Sequence, residues 1–477
     1  MQRSSLRATP ALLALAATAA AAILASCGGD GGTPVSATTD PQVKAAWVEI
    51  GPGGQTIVRA VTAAASCPQI SIDGKLTSMT LRAAAGTAAL RTTASDPADS
   101  KPSEFPVTTC ESLPTSETLE VSVAGRLLPL PKAQPQRIAV LADTGCRMKK
   151  ADNAFQACND GTAWPFATIA ATVAAMKPDL VMHIGDYHYR ENACPSDVAG
   201  CQGSPWGYGW DTWLADLFQP AAPLLSAAPW VVVRGNHEEC ARAGQGWSRF
   251  LDVRAYGRTL SCDSAANDNV ANFSDPYTVS LGKDTQIVIF DSAKAGTAPF
   301  GPTDFKFPIY QAQFRQVAAL TADPSKTSLF ANHHPILAFA PIAGGPPAAG
   351  NAGLQAVMKT LYPVAYYPDG VKIALHGHVH DFQALNFSSA HPATFVTGNG
   401  GDNVDVNLPD PFPVGTTPAP GVVLDRITHT NTFGFMMMER SDTTWLYKAY
   451  TKDGKLLTTC VPNGSKISCD KTGFLAP

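Results

Sequence analysis

Charge is scarce in this sequence. Asp, Glu, Lys and Arg make up 16% of its 477 residues, and 35 basic against 39 acidic side chains leave a formal charge of −4. A chain so nearly balanced lacks the basic excess of a dedicated nucleic-acid partner, although a small anionic substrate stays open if bound metal supplies local positive charge. No internal repeat is visible, which excludes solenoids and propellers. Past the first 26 residues no further apolar run suggests a membrane segment. Histidine is rare, ten in all, so a cluster of histidines carries information. What is abundant is apolar: 45% hydrophobic residues, with 39 Gly and 38 Pro. That is enough to bury a large core and exclude wholesale disorder.

The N-terminus has the build of an export signal. Arg3 and Arg7 precede an apolar run from Ala11 to Ala25 that only Thr18 interrupts. The run is too short for a comfortable transmembrane helix and ends in small residues. Leu24-Ala25-Ser26-Cys27 resembles a bacterial lipobox, in which cleavage precedes the cysteine and its thiol is lipidated. The expectation is an exported lipoprotein, periplasmic or at the cell surface, anchored to membrane through Cys27. An ordinary signal peptide with Cys27 incidental is the alternative. Setting Cys27 aside, ten of the eleven cysteines remain, an even number that five disulfides in an oxidising compartment would need. Local spacing suggests Cys194–Cys201, Cys240–Cys262 and Cys460–Cys469, with Cys146–Cys158 and Cys67–Cys110 completing the set.

Residues 1–26 thus read as signal peptide and 27–42, rich in Gly, Thr, Ser and Pro, as a flexible tether. Short β-like runs such as Thr56–Val61, Gln69–Ile72 and Leu119–Val123 place a small all-β sandwich (fibronectin III- or Ig-like) over 43–132, with 83–104 as a long loop. Pro129, Pro131 and Pro135 mark the exit, and the body runs over 133–477. There Arg137–Ala142 and Asp179–Ile184 are continuous apolar runs, as expected of strands buried on both faces. Helices are expected near Pro165–Met176, Thr212–Leu225, Gln311–Leu320 and Gly353–Leu361. Further strands are expected at Trp230–Arg234, Gln286–Phe290, Ser328–Ala331 and Val371–Leu375, with β hairpins near the C-terminus. Alternation of this kind means an α/β fold, largely parallel, with two sheets sandwiched between helices.

The chemistry follows the strands. The first ends in Asp143-Thr144-Gly145, the second in Gly185-Asp186-Tyr187-His188-Tyr189, the third in Gly235-Asn236-His237-Glu238. Later strands end in Asn332-His333-His334-Pro335 and Gly377-His378-Val379-His380. Ligands gather at the carboxyl ends of strands in open α/β sheets, so these groups should converge on one edge. An Asp after a strand is by itself usually a turn or cap residue. Five such blocks in order are not. The oxygen and nitrogen donors suit Fe, Zn or Mn, and they outnumber what one tetrahedral ion needs, so two ions are the economical reading.

These blocks resemble those of the calcineurin-like metallophosphoesterase superfamily over roughly residues 136 to 450, and within it most closely those of purple acid phosphatases. Tyr189, three residues after Asp186, is the discriminating position. The first block lacks a leading Gly and the fourth lacks a Val; the His-x-Pro ending favours His333 over His334 as the ligand. The resemblance implies a four-layer α-β-β-α fold. It places Asp143, Tyr189 and His380 on Fe(III), and Asn236, His333 and His378 on a divalent Fe, Zn or Mn ion, with Asp186 bridging. It further implies hydrolysis of a small phosphate ester by a metal-bound hydroxide, with His237 protonating the leaving group or binding phosphate and Glu238 orienting His237. The expected activity is phosphomonoester hydrolysis. A phosphodiesterase acting on nucleotides or phospholipid head groups, and a surface binding lipoprotein with a vestigial site, are the alternatives.

Other residues read more plainly. Arg147, Lys149 and Lys150 form an exposed basic loop or steer phosphate. Arg190 and Glu191 pair with each other or touch substrate. His183 reads as a core histidine, whereas His188 could line the site. Trp206, Tyr208, Trp210 and Trp213 read as packing, and Gly398-Asn399-Gly400-Gly401 as a backbone turn near the metal rim.

Overall fold

Runs of Val, Ile, Leu and Ala form the central strands, because a parallel strand covered on both faces has no polar side. The computed structural model describes residues 40–93, 95–442 and 444–477; the expected signal segment, Cys27 and most of the tether lie outside the described residues. Arg137–Leu141, Leu180–His183 and Trp230–Val232 run parallel in an 11-stranded sheet. Thr285–Ile289, Thr327–Ala331, Val371–His376 and Ala393–Thr397 run parallel in an 8-stranded one. The sheets meet through Ile138, Val140, Met182 and Val231 on one side and Ile287, Leu329, Ile373 and Phe395 on the other. The helix Phe166–Ala175 covers the outer face of the first sheet with Ile169 and Val173. Lys306–Leu320 and Ala352–Leu361 cover the second with Phe314, Val317, Leu354 and Val357. This is the expected α-β-β-α order. Among the described residues no helix is long and apolar enough to cross a membrane.

Two helices differ from expectation. The one expected over Thr212–Leu225 is broken into Trp210–Trp213, a wide π turn at Leu214–Phe218 and Ala222–Leu225. Pro220 falls in the break, where no helical N–H is required. The wide turn aims the buried Asp216 at the backbone amides of Cys146 and Tyr189, a use typical of such turns near functional sites. The helix expected from Gln311 begins at Lys306 instead. Pro308 sits in its first turn, where a missing N–H costs nothing.

A strand-rich region precedes the catalytic body and has the two layers of a β-sandwich. Val43–Ile50, Thr56–Thr62, Thr108–Ser112 and Thr80–Ala83 face a four-stranded sheet of Arg126–Leu128, Val121–Val123, Gln69–Ile72 and Lys75–Ser78. Val48, Val58, Ile70, Val121 and Val123 fill the space between. The first layer also continues the catalytic sheet, since Val43–Ile50 pairs in parallel with Trp230–Val232. Within 83–104, expected as loop, Gly86–Ala88 pairs with Ser103–Phe105. All five suggested disulfides are formed.

Buried arginines lock the two regions together. Arg59, wholly buried beside Glu49 (3.2 Å), donates to the carbonyls of Phe250 and Asp252 at 2.5 Å each. Arg82 donates to the carbonyls of Ser248, Arg249 and Asp252. Removing Arg59 takes the cation from the buried Glu49 carboxylate, which keeps the Trp47 Nε1 hydrogen bond, and the donor from the Phe250 carbonyl, while the Asp252 carbonyl retains Arg82. Arg59→Ala is expected to lose about 3–5 kcal/mol, read in denaturant melts, and the parent chain to unfold in one transition. Two well-separated transitions, with only the smaller moved by the substitution, would contradict this coupling.

Candidate metal centre

The strand ends deliver their side chains through tight turns. Asp143 (φ 57°), Asp186 (φ 57°) and His378 (φ 70°) all adopt left-handed backbone conformations. These are sparsely populated for residues with a Cβ, and their surroundings must hold them there. Asp143 Oδ2 accepts the His378 amide (2.8 Å), and Asp186 Oδ1 accepts the His237 amide (2.8 Å). Gly235 is needed at its place: a Cβ there would lie 2.1 Å from Asp186 Oδ1. Gly185 (φ 90°) likewise leaves room for His333 Nδ1, which a Cβ would approach to 2.6 Å.

All seven candidate ligands converge, in two adjoining groups. In the first, the Tyr189 hydroxyl lies 2.7 Å from Asp143 Oδ1, 2.9 Å from Asp186 Oδ2 and 3.1 Å from His380 Nε2. In the second, Asn236 Oδ1 lies 3.0 Å from His333 Nε2 and 2.9 Å from His378 Nδ1. His333 Nε2 is also 3.0 Å from Asp186 Oδ2, so this one carboxylate oxygen faces both groups. The neighbouring His334 turns instead to Ser292 (3.2 Å).

The donor set fits metal because it gathers lone pairs and negative charge that draw a cation. His333 Nδ1 lies 2.8 Å from the Ile184 carbonyl and His380 Nδ1 2.8 Å from that of Asn403. Those contacts fix a proton on each Nδ1, so Nε2 is the atom each ring turns to the oxygens of the cluster and the one that can yield its proton to a cation. The Tyr189 hydroxyl has one proton for two carboxylate oxygens. Burial opposes charge on His333 and His380, yet Asp186 and Asp143 raise the first to about 9, and Asp402 and Asp143 raise the second to about 10. The cluster attracts cations. Carboxylate, phenol, imidazole and amide donors of this kind suit Fe, Zn or Mn.

The surrounding contacts correct several expectations. Glu238 does not orient His237; its buried carboxylate accepts the amides of Gly235, Asp186, Tyr187 and His188 at 2.9–3.2 Å. It fastens the second and third loops to each other. Glu191 holds His237, its Oε1 2.8 Å from Nδ1, and Arg242 Nη2 lies 2.6 and 2.7 Å from the two ring nitrogens. Burial and the Arg242 charge hold His237 down to about 3. Arg190 and Glu191 do not pair with each other: Arg190 binds Asp216 (2.6 Å), and Glu191 binds Arg242.

Arg147 is not part of an exposed loop. Its guanidinium binds Asp402 (2.6 Å) and lies 4.9 Å from the centre of the Tyr189 ring. Lys149 and Lys150 turn away to Asp152 and Asp96. His183 is a core histidine, stacked 3.9 Å from Tyr187, while His188 is buried against Tyr208 and Trp213 and does not line the site. The Gly398–Gly401 turn lies at the rim, with Gly400 donating to the Ala142 carbonyl (3.1 Å). Sequence reasoning missed Arg242, Asp216, Asp402 and Asp405, which accepts the His380 amide (2.8 Å). Only Asp402, directly after the glycine run, had a signal that could have marked it.

The profile of calcineurin-like phosphoesterases matches residues 136–382, which carry every one of these ligands. The chain belongs to the calcineurin-like phosphoesterase family. Membership supports metal-dependent phosphoester hydrolysis, and the family's fold implies a dinuclear metal centre. Among solved structures, a purple acid phosphatase, PPD1, from yellow lupin (Lupinus luteus) seeds shares the fold at 14% identity, with a TM-score of 0.51 over 87% of this chain and 73% of that one. A structure of PhoD matches at 12% identity and a TM-score of 0.53, over 92% of this chain and 94% of the other. No curated protein matches in sequence.

In this phosphoesterase, Glu238→Ala leaves four buried loop amides without an acceptor, each unmet group costing about 1–3 kcal/mol. The expected outcome is a lowered melting temperature together with loss of bound metal by elemental analysis. Full metal content and an unchanged melt would contradict the role given to Glu238.

Proposed function

We propose that this chain is a phosphomonoesterase of the purple acid phosphatase type, holding Fe(III) and a divalent Fe, Zn or Mn ion. The observation that carries the reading is the Tyr189 hydroxyl set among Asp143 Oδ1, Asp186 Oδ2 and His380 Nε2. A buried phenol is hard to ionise, and here burial and then Asp143 and Asp186 push it well above its ordinary value. A strongly acidic ion beside it would reverse that preference, which favours Fe(III) at Asp143, Tyr189 and His380. Asn236, His333 and His378 would hold the divalent ion, with Asp186 shared. When bound, the two ions supply Lewis acidity toward the phosphoryl oxygens and an activated water.

The chain's own residues supply the rest. Glu191 fixes the His237 imidazole through Nδ1, leaving Nε2 3.9 Å from Asp186 Oδ2. His237 is neutral while the site is empty of substrate. A phosphate group beside it brings the negative charge that lets the ring hold a proton, which Nε2 can pass to the departing alkoxide. Arg242 and Arg147 border the two groups of ligands and add positive potential for an anionic substrate. We also propose that the chain is exported and anchored through lipid on Cys27. Leu24-Ala25-Ser26-Cys27 supports this, as do five disulfides, which persist in oxidising compartments.

The test compares 4-nitrophenyl phosphate with bis(4-nitrophenyl) phosphate on protein purified with its metals. The monoester is expected to react faster, and a dominant diesterase rate would overturn the reading. His237→Asn is expected to lower kcat by about 10²–10⁴-fold, with metal content retained. Its loss should be greater for an alkyl phosphate than for 4-nitrophenyl phosphate, whose phenolate leaves without a proton. Equal losses on both would remove His237 from proton transfer.

A further inference from the structure

Beside the metal centre, on the side of His334 and His378, the chain forms a cavity of about 190 Å³. Its walls include Pro335, Ala338, Phe339, Ala348 and Val379, and among the described residues no Lys, Arg, Asp or Glu lines it. The His334 and His378 rings, 4.4 Å apart, both line it, and His378 belongs to the ligand cluster as well. Among the described residues, buried His334 Nε2 has no hydrogen-bond partner.

The cavity is built. Phe339–Ala340 and Ala348–Ala349 pair as the base of a hairpin that forms one wall. Gln383 exchanges hydrogen bonds with both backbone groups of Phe339, and Gln355 binds the carbonyls of Ile336 and Pro418. Asn351 caps the following helix and donates to the Gly296 carbonyl (2.6 Å). Gly350 sits so close to Ile336 that a Cβ would fall 2.1 Å from its carbonyl oxygen. Small side chains at 338, 340, 348 and 349 on this fixed frame leave the space open.

We propose that this cavity receives the leaving group of the substrate, and that the preferred substrates are phosphate esters of compact apolar alcohols, above all phenols. The inference rests on the phosphatase reading for the bond that breaks, whereas the cavity's preference concerns binding alone. An apolar cavity of about 150 Å³ takes one benzene ring, so this one accommodates a single aromatic ring. The absence of a cation in the walls disfavours leaving groups that carry a second phosphate or a carboxylate, because a charge buried there would go unpaired.

Calorimetric titration of the metal-containing protein with benzylphosphonate and methylphosphonate tests the cavity without requiring turnover. The benzyl compound is expected to bind about 10- to 100-fold more tightly, as burial of one ring against apolar walls implies. Ala348→Asp, and separately Ala349→Asp at the exposed edge of the hairpin, are expected to reduce that ratio at least about fivefold, on the scale of what an unpaired charge costs near an apolar surface. Equal binding of the two phosphonates, binding of neither, or an unchanged ratio in both variants would overturn the proposal. A benzyl preference in a protein that hydrolyses no phosphate ester would leave the cavity assignment standing and sink the phosphatase reading instead.

Discussion

One carboxylate oxygen sets the terms for the rest of the molecule. Asp186 Oδ2 lies within 3.0 Å of both the Tyr189 hydroxyl and His333 Nε2, and the groups gathered around it have fewer protons than lone pairs. Such an arrangement is costly unless a cation enters it. Much of the surrounding structure exists to keep it from relaxing. Asp186 is held in a left-handed conformation by the Glu238 carboxylate on its amide, and Gly235 gives its Oδ1 room to accept the His237 amide. His333 and His380 are turned by backbone carbonyls at Nδ1 so that Nε2, the nitrogen free to bind a cation, faces inward. The site is a pre-organised deficit of positive charge.

The fold supplies the stiffness that this requires. Parallel strands from two sheets end at the same edge, so ligands far apart in sequence arrive on rigid supports. Cys146–Cys158 secures the chain just after Asp143, and Cys240–Cys262 the chain just after Glu238. The wide turn that presents Asp216 ties the amides of Cys146 and Tyr189 to one side chain. The sandwich joins this scaffold by extending the sheet and burying Arg59 and Arg82 against residues 248–252. That segment is the end of the helix Gly244–Phe250 and the two residues after it, and the helix follows Arg242 at the site.

Much of this was legible in the sequence, for identifiable reasons. Strands buried on both faces are continuous apolar runs, and each hands its ligands to the residues that follow, so strand order and ligand order could be read together. The His-x-Pro ending favoured His333 over His334, and the two adjacent rings do point apart, His333 to Asn236 and Asp186 and His334 to Ser292. The role of Glu238 was misread because adjacency to His237 suggested contact, whereas the turn at Asn236–Glu238 sends the carboxylate back to the amides of the preceding loops. Arg242, Asp216 and Asp405 reach the site by tertiary folding from segments without a motif, and Asp402 was marked only by the glycine run before it. The broken helix at 210–225 and the sheet continuing into the sandwich depend on partners remote in sequence, which local patterns do not encode.

Anomalous diffraction at the iron, zinc and manganese edges, from crystals of the protein purified without added chelator, bears most directly on the central claim. The account predicts two ions sharing Asp186, with iron beside Asp143, Tyr189 and His380 and the second ion beside Asn236, His333 and His378. A single ion, or a pair in which Tyr189 takes no part, would contradict it.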